Sequence, residues 1–269
     1  YLVTTVDDRA FRNTKIESVS FEEDSHVKKI GNFAFQNSTI LRLSIPNKLV
    51  EFGEDWCKEV ESLTEITINA NHEHFQYENG LLINKDYNEI IFARRDLSGG
   101  LTLPNNIKRI RSSSFYTCKK ILSFNIESSA LESIDSFAFC QCELLKNLTI
   151  SGPKQLILGD NCFSFNKSLL NVILSCEELI VERNCFQFCS SIVSLNFSNV
   201  KKISFGQVSL LGCDSLADIY IPYSSSIEFK NQCFLSLKNL KSLFFNSDKF
   251  TICNDSFKNC SLIHKVYLK

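Results

Sequence analysis

Residues 138–150 read Ala-Phe-Cys-Gln-Cys-Glu-Leu-Leu-Lys-Asn-Leu-Thr-Ile, and this stretch returns with substitutions along most of the chain. An apolar residue stands five positions before its Phe139, and further apolar residues follow at +6, +9 and +11. The same landmark position is held by Phe11, Phe35, Phe115, Phe139, Phe163, Phe186, Leu210, Phe234 and Phe257. From Phe115 onward the steps are 24, 24, 23, 24, 24 and 23 residues. So regular a period predicts a solenoid, in which each coil covers the next.

The end of each repeat predicts a β-strand. Apolar and polar residues alternate there, as in Leu148-Thr149-Ile150, which is typical of a strand with one buried face. The last inward strand residue recurs at Phe21, Ile45, Ile68, Leu103, Ile126, Ile150, Leu174, Phe197, Ile221, Phe245 and Leu268. We therefore expect a β-rich repeat solenoid of about 11 coils of 23–24 residues, with a parallel sheet on one face and short turns or helical turns elsewhere.

One step in this series is longer than the others. Ile68 and Leu103 are 35 residues apart, and the extra length includes residues 80–92, where two apolar stretches flank a polar segment. This pattern predicts an inserted β-hairpin, and inserted loops are where binding residues often lie. The third coil is also irregular, because Trp56 stands where no landmark is due. The candidate binding residues of the hairpin loop are Asn84, Lys85, Asp86, Tyr87 and Asn88.

Composition limits the function classes. Twenty-nine basic and 30 acidic residues leave a net charge of −1, which does not provide the basic surface that nucleic acid requires. No apolar run approaches the roughly 20 residues of a membrane-spanning helix. With 9 Gly and 4 Pro we find no linker, so residues 1–269 are expected to form one domain. The first residue is Tyr and Met is absent, from which we expect a fragment or processed product of a longer chain.

The repeat resembles a known family. The pattern Ala-Phe-x-x-Cys-x-x-Leu-x-x-Ile-x-Ile, present at 138–150 and closely followed at 114–126 and 185–197, is similar to that of the BspA-like leucine-rich repeats. The insert, with Gly80-x-Leu82-x-Asn84-Lys85 and Leu103-Pro104, resembles the interrupted repeat of the same family. The resemblance implies a right-handed leucine-rich-repeat superhelix. It also implies a surface protein of the kind associated with adhesion to host proteins and cells.

The twelve cysteines suggest a disulfide framework or a metal site until they are placed in register. Cys118, Cys142, Cys189, Cys213 and Cys260 share one column, and Cys162, Cys185 and Cys233 share another. Small apolar positions that recur in this way predict buried free thiols. The remaining cysteines are Cys57, Cys140, Cys176 and Cys253, and Cys140-x-Cys142 lacks the spacing of a zinc or thioredoxin-like motif. We expect no metal and no cofactor.

The histidines and sequons offer two further hypotheses. His72-x-His74, just before the insert, is the one histidine cluster, and we interpret it as a solvated loop, with a metal or catalytic site as the alternative. Asn-x-Ser/Thr sequons occur at Asn37, Asn147, Asn166, Asn196, Asn254 and Asn259. Asn166 falls in the buried cysteine column, so that sequon is predicted to be unusable. A chain rich in Asn and Ser gives sequons by chance, so they do not establish secretion.

The outward position of each strand gives the main candidate site. It lies between the two inward strand residues and points out of the sheet. It is small and polar in the first coils, then becomes Ile173 and Asn196, and ends in the aromatic series Tyr220, Phe244 and Tyr267. Adjacent exposed aromatics on a rigid sheet have the composition of a binding hot spot. The alternative is that flanking chain covers them or that they pack only on one another.

Three function classes follow. The first is a non-catalytic module that binds a protein or glycan ligand, at a cell surface or outside the cell, although a cytoplasmic location stays open. The second is a structural or intracellular scaffold whose repeats pack against other domains of a longer protein. The third is an enzyme built around His72, His74 and the hairpin, which no catalytic motif supports. Neither end of the array shows a cap, so we expect more chain, a partner or self-association to cover the ends.

Overall fold

The computed structural model describes residues 2–269, and those residues form short strands joined by turns, with no helix among them. In chain order the strands are β1 (Thr5–Val6), β2 (Ser18–Val19), β3 (Lys29–Ile30), β4 (Arg42–Ser44), β5 (Glu51–Phe52), β6 (Glu65–Thr67), β7 (Phe75–Glu78), β8 (Leu81–Asn84), β9 (Glu89–Ala93), β10 (Ser98–Thr102), β11 (Arg109–Ile110), β12 (Lys120–Glu127), β13 (Ser133–Ile134), β14 (Asn147–Ser151), β15 (Gln155–Leu158), β16 (Asn171–Ser175), β17 (Glu178–Val181), β18 (Ser194–Asn196), β19 (Lys202–Phe205), β20 (Asp218–Ser224), β21 (Ser226–Phe229), β22 (Ser242–Ser247), β23 (Phe250–Ile252) and β24 (Lys265–Leu268). The predicted solenoid is confirmed.

The first face of the solenoid contains the strands predicted from the alternating pattern. They pair in parallel in three groups, β2-β4-β6, β10-β12-β14-β16-β18 and β20-β22-β24, which gives one strand in each of eleven coils. Residues one repeat apart are partners, as Leu148 is with Val172. We call the outward surface of these strands the strand face. Its register follows the repeat because the inward residues must all enter one core.

A second face carries strands that the sequence did not predict, so the expectation of a sheet on one face is incomplete. The apolar column five residues before the landmark, which includes Ile110 and Ile134, forms parallel strands of its own. These strands build the sheets β1-β3-β5 and β9-β11-β13-β15-β17-β19-β21-β23. Several are only two residues long, too short for an alternating pattern to reveal. The expected helical turns are therefore a second sheet and its tight turns.

The turn between the two faces repeats a single backbone design. Outside the insert, the residues two before and two after the landmark adopt left-handed conformations, as Asn161 (φ 57°) and Phe165 (φ 62°) do. The N–H groups of Asn161, Phe163 and Phe165 then donate to carbonyl oxygens of the next coil at 2.8–2.9 Å. Asn, Asp, Ser and Gly fill many of these positions, since short side chains tolerate this region best.

Two stacked columns fill the core. The landmark rings of Phe115, Phe139 and Phe163 lie parallel within 11°, with centroids 4.5 and 5.2 Å apart. Beside them, the Sγ atoms of Cys142 and Cys189 donate to the landmark carbonyls of earlier coils at 3.2 and 3.0 Å. Asn166 occupies the same column, and its Nδ2 donates to the carbonyl of Phe139 at 3.0 Å. Cys and Asn interchange here because either can supply the donor.

The insert is larger than the single hairpin expected at residues 80–92. Strand β7 pairs with β8, and β8 with β9, both antiparallel, and β9 then pairs in parallel with β11. The β7–β8 connection is Asn79-Gly80 with φ values of 52° and 80°, the sequence and conformation of a two-residue hairpin turn. In β8, Leu81 and Ile83 pack into one hydrophobic cluster and Leu82 into another. The insert thus separates two hydrophobic cores, the first formed mainly by the coils before it and the second by the coils after it.

Trp56 lies in the coil before the insert and contacts Phe92 of β9. Its carbonyl accepts from the N–H of Phe35 at 2.7 Å, the bond that Ala34 provides to Phe11 one coil earlier. Trp56 therefore occupies the column of small residues, while Cys57 takes the landmark position. The indole is buried and packs against Phe52 with ring centroids 4.7 Å apart and against Phe92 with centroids 5.7 Å apart.

Candidate functional site

The strand face places the predicted site residues in two groups. Ile173 and Asn196 are both exposed and are register partners on β16 and β18. Tyr220, Phe244 and Tyr267 are register partners on β20, β22 and β24. The hydrogen-bonded ladder is interrupted between β18 and β20. The five residues therefore follow one line of the solenoid but belong to two separate sheets.

The aromatic group forms a stack along the sheet. Tyr220 is 62% exposed and Tyr267 51%, while Phe244 between them is half-buried. The rings of Phe244 and Tyr267 are parallel within 6° at 4.7 Å, and the ring of Tyr220 is tilted by 51° at 6.4 Å from Phe244. We call these three residues the aromatic patch. The three side chains lie this close because they are register partners on neighbouring strands and point out of the same face of the sheet.

Tyr223 extends the exposed aromatic surface and was missed by the sequence interpretation. It lies on β20, is exposed, and its hydroxyl donates to a carboxylate oxygen of Asp248. That hydrogen bond raises the pKa of the Tyr223 hydroxyl. The repeat pattern stops at Ile221, and the register of β20 shifts between Ile221 and Ser224. The signal available in the sequence was Pro222, which follows the regular strand and precedes this irregularity.

The hairpin loop is held by its own polar side chains. Asn84 is buried, and its Oδ1 accepts from the N–H groups of Asp86 and Tyr87 at 2.9 and 3.3 Å. Lys85 donates from Nζ to the carbonyl of His72 at 2.5 Å. Tyr87 projects into solvent. The loop joins strands of the second face, so it does not share a surface with the aromatic patch.

Asn88 and His74 complete the loop contacts. The Oδ1 of Asn88 accepts from Nδ2 of Asn106 at 2.9 Å, and Asn88 itself has a φ of 56°. Nδ1 of His74 lies 2.7 Å from a carboxylate oxygen of Asp86. Among the five predicted loop residues, Asn84, Lys85, Asp86 and Asn88 thus stabilise the loop itself. Tyr87 is the one with a side chain free for a partner in the part of the chain that the structure describes.

The interpretation of His72 as part of a solvated loop is wrong. The side chain is 3% exposed, its Nε2 is 3.1 Å from the carbonyl oxygen of Pro46, and its Nδ1 accepts from the N–H groups of His74 and Phe75. Nε2 is therefore the protonated nitrogen. Burial lowers the pKa of His72. Its two ring nitrogens stabilise the loop before β7.

Cysteine burial agrees with the column assignment. All twelve cysteines are free and ten are buried, with Cys253 and Cys260 partly exposed. Burial raises the pKa of Cys57 and of Cys176 to about 12. Asn166 is also buried, which confirms that its sequon is inaccessible in the folded chain. Among residues 2–269, no three His, Cys, Asp or Glu side chains gather as a metal site would require.

The architecture defines the class. Coils of two short strands, stacked on Phe and Cys columns with one open strand face, are those of a repeat protein that presents an extended surface. The sequence pattern described as the BspA type leucine rich repeat region matches the chain in six copies, over residues 2–80, 85–206 and 158–269. The chain belongs to this family of leucine-rich repeat proteins.

Solved structures show the same fold at low identity. A leucine-rich repeat protein from Eubacterium ventriosum is 18% identical with a TM-score of 0.72, covering 89% of this chain and 63% of its own. The pneumococcal vaccine antigen PcpA is 16% identical with a TM-score of 0.63, covering 93% and 71%. A leucine rich cell surface protein from Faecalibacterium prausnitzii is 17% identical with a TM-score of 0.59, covering 99% and 57%.

This chain thus spans less than two thirds of the length of the Eubacterium ventriosum protein. A comparison with curated proteins found no match. Within residues 2–269 there is no helix that is both long and apolar enough to cross a membrane.

Proposed function

We propose that this chain is a non-catalytic binding domain of a cell-surface protein, and that its aromatic patch contacts a protein ligand. The observation that supports this most is the register of Tyr220, Phe244 and Tyr267, which aligns three aromatic side chains on a rigid sheet with the outer two exposed. Exposed aromatics at the centre of an interface supply much of its binding free energy. A preformed sheet adds little ordering cost on binding.

The ring geometry favours a protein over a glycan. Sugars pack their C–H groups on the open faces of aromatic rings, and the parallel rings of Phe244 and Tyr267 cover one face of each other. With those two faces covered, the patch presents ring edges and the phenol hydroxyls of Tyr220 and Tyr267 beside its remaining ring faces. Apolar side chains and backbone groups of a protein surface complement such edges.

Family membership and the neighbours named as a cell surface protein and a vaccine antigen support the surface location. Beads coated with the chain and added to cultured epithelial cells test the proposal. We expect wild-type beads to adhere, and the triple variant Tyr220→Ser, Phe244→Ser, Tyr267→Ser to lose most adhesion. Protease treatment of the cells should abolish adhesion and glycosidase treatment should not.

The same column provides the control. Thr67→Ser, Thr102→Ser and Thr149→Ser change three outward residues at the polar end of the strand face, and adhesion should persist. Equal adhesion of the aromatic variant and wild type would exclude the patch, and sensitivity to glycosidase alone would replace the protein ligand by a glycan.

The alternative is a scaffold role, in which the patch packs on another domain of a longer chain. The exposed apolar area of Tyr220 and Tyr267 supports the scaffold role as much as it supports binding of an external ligand, since a neighbouring domain often covers such a patch. In that case the serine variants would leave adhesion intact and would lower the unfolding midpoint of the longer chain.

A further inference from the structure

A second exposed aromatic pair lies on the turns, among residues that belong to neither the strand face nor the insert. Phe165 and Phe188 are 36% and 40% exposed, and their ring centroids are 5.2 Å apart. They border an open groove of about 470 Å³ that runs across the turns of four successive coils. Leu211 and Gly212 also line it. We call this the turn-edge groove.

The fold gives no reason for phenylalanine at these two positions. Both residues follow the landmark by two and have left-handed backbones, with φ values of 62° and 58°. In other coils the same column holds Asn13, Asn37, Glu59, Thr117, Gln141, Gly212, Ser236 and Asn259. A bulky side chain is disfavoured in this conformation, and exposing its ring to water adds a second cost. Two adjacent coils that accept both costs indicate a surface selected for contact.

Other phenylalanines with left-handed backbones are covered within the chain. Phe33 lies under the guanidinium of Arg9 at 5.6 Å, and Phe137 lies under Nζ of Lys58 at 3.7 Å. No described cation covers Phe165 or Phe188 in this way. Their rings are left open towards the groove.

Gly212 shapes the groove by continuing the column without a side chain. A Cβ at Gly212 would lie 2.5 Å from Cδ1 of Phe188, so glycine lets that ring lie flat over the next coil. The ring and the neighbouring Leu211 then form a continuous apolar floor. Phe165, Phe188 and Gly212, which hold this column in three successive coils, therefore form one continuous apolar surface.

Charge at the rim points to the partner's chemistry. Charged residues follow the column by two positions in three of the four coils, and all three line the groove: Lys167, Asp214 and Lys238. Asp214 pairs with Lys238 at 3.3 Å, while Lys167 forms no ion pair with any described residue. The rim thus has one uncompensated positive charge next to the two rings. Four coils about 4.8 Å apart span about 14 Å, the length of about four extended residues.

We propose that the turn-edge groove binds an extended peptide segment of a partner protein, with a large apolar side chain against Phe165 and Phe188 and a carboxylate beside Lys167. The peptide would cross the coils and use the open groove along its length. Such a site is independent of the aromatic patch, since the two share no residue.

Selection from a random phage-displayed 12-residue peptide library on the immobilised chain tests this. We expect enriched peptides to combine an aromatic or leucine residue with Asp or Glu within four positions. Peptides synthesised from that pool should bind the variant Phe165→Asn, Phe188→Ser at least about 10-fold more weakly than wild type. Because Asn and Ser occupy this column in other coils, the variant keeps the turn, and its unfolding midpoint should equal or exceed that of wild type.

Two comparisons make the chemistry specific. Lys167→Gln should weaken the binding of an acidic peptide several-fold but leave the binding of its Asp→Asn counterpart unchanged. Gln141→Ser, a change in the column that contains Phe165 and Phe188, should alter the binding of neither peptide. The triple adhesion variant Tyr220→Ser, Phe244→Ser, Tyr267→Ser should also leave peptide binding unchanged. The proposal fails if no peptide is enriched, if the Phe variant selects the same peptides, or if 3-phenylpropionate competes as strongly as the peptide, which would indicate a small-molecule site.

Discussion

Arg95 donates a hydrogen bond from Nε to the carbonyl oxygen of Val60 at 2.9 Å, although 35 residues separate the two in the chain. The guanidinium is buried, also donates to the carbonyl of Ser114 at 2.8 Å, and lies over the ring of Phe92 at 4.6 Å. It contacts the coil before the insert and the coil after it. One buried cation therefore connects the two hydrophobic cores at the point where the backbone ladder is interrupted.

We expect Arg95→Ala to destabilise the chain by about 2–5 kcal/mol, because it leaves a cavity and an unpaired buried carbonyl. The neighbouring Arg94, a partly exposed residue paired with Asp96, provides the control, and Arg94→Ala should change stability by less than about 1 kcal/mol.

The two cores can be followed separately in urea. Trp56 is the single tryptophan and lies in the core before the insert, so its fluorescence reports that core alone. Circular dichroism reports the strands around both cores. The two signals should coincide in wild type and separate in Arg95→Ala. Coincident curves at the wild-type midpoint would show that Arg95 does not couple the cores.

Asn166→Cys is expected to stabilise the chain by about 1 kcal/mol. Nδ2 of Asn166 donates to Phe139, but its Oδ1 is buried and has no partner among the described residues. Cysteine is the usual residue of this column and supplies the donor without the unpaired oxygen. Chemical denaturation of the two proteins measures the difference. A loss of stability larger than about 1 kcal/mol would mean that the amide has a contact that the structure does not explain.

His72 should make stability depend on pH. Burial lowers its pKa from the ordinary value of 6.5, so the unfolded chain binds the proton more readily than the folded chain. The contribution of His72 is present above pH 6.5 and is lost as pH falls through the lowered pKa. Urea midpoints between pH 8 and pH 5 should therefore fall for wild type and fall less for His72→Gln. Identical slopes for the two proteins would contradict this origin.

Thiol accessibility should divide the cysteines into two classes. Iodoacetamide at pH 8 is expected to modify Cys253 and Cys260, the two partly exposed residues, while the ten buried thiols stay unmodified until the chain opens. High pKa values, such as those of Cys57 and Cys176 at about 12, leave almost no reactive thiolate at that pH. Peptide mass spectrometry after native labelling gives the pattern. Rapid labelling of Cys142 or Cys189 would show that the column is open to solvent.

The repeat register predicted the coil number, the strand face and the buried columns because each depends on residues one period apart. The second face escaped prediction since strands such as Arg109–Ile110 contain one inward residue and no alternation. The burial of His72 depends on the carbonyl of Pro46, 26 residues earlier, which no local pattern can show. The turn-edge groove was missed because Phe165 and Phe188 occupy a column that holds polar residues or glycine in the other coils.

The hydrogen bonds from the cysteine column also determine the chain's redox behaviour. The buried thiols of Cys142, Cys189 and Cys213 donate to carbonyl oxygens of the preceding coil and are enclosed by the coils on either side, so an oxidant meets them only when neighbouring coils separate. Oxidation of these thiols is therefore limited by the opening of the solenoid and not by the potential of the surroundings. In an oxidising compartment the ten buried thiols therefore stay reduced for as long as the coils are closed, while Cys253 and Cys260 are the two that an oxidant can reach in the folded chain.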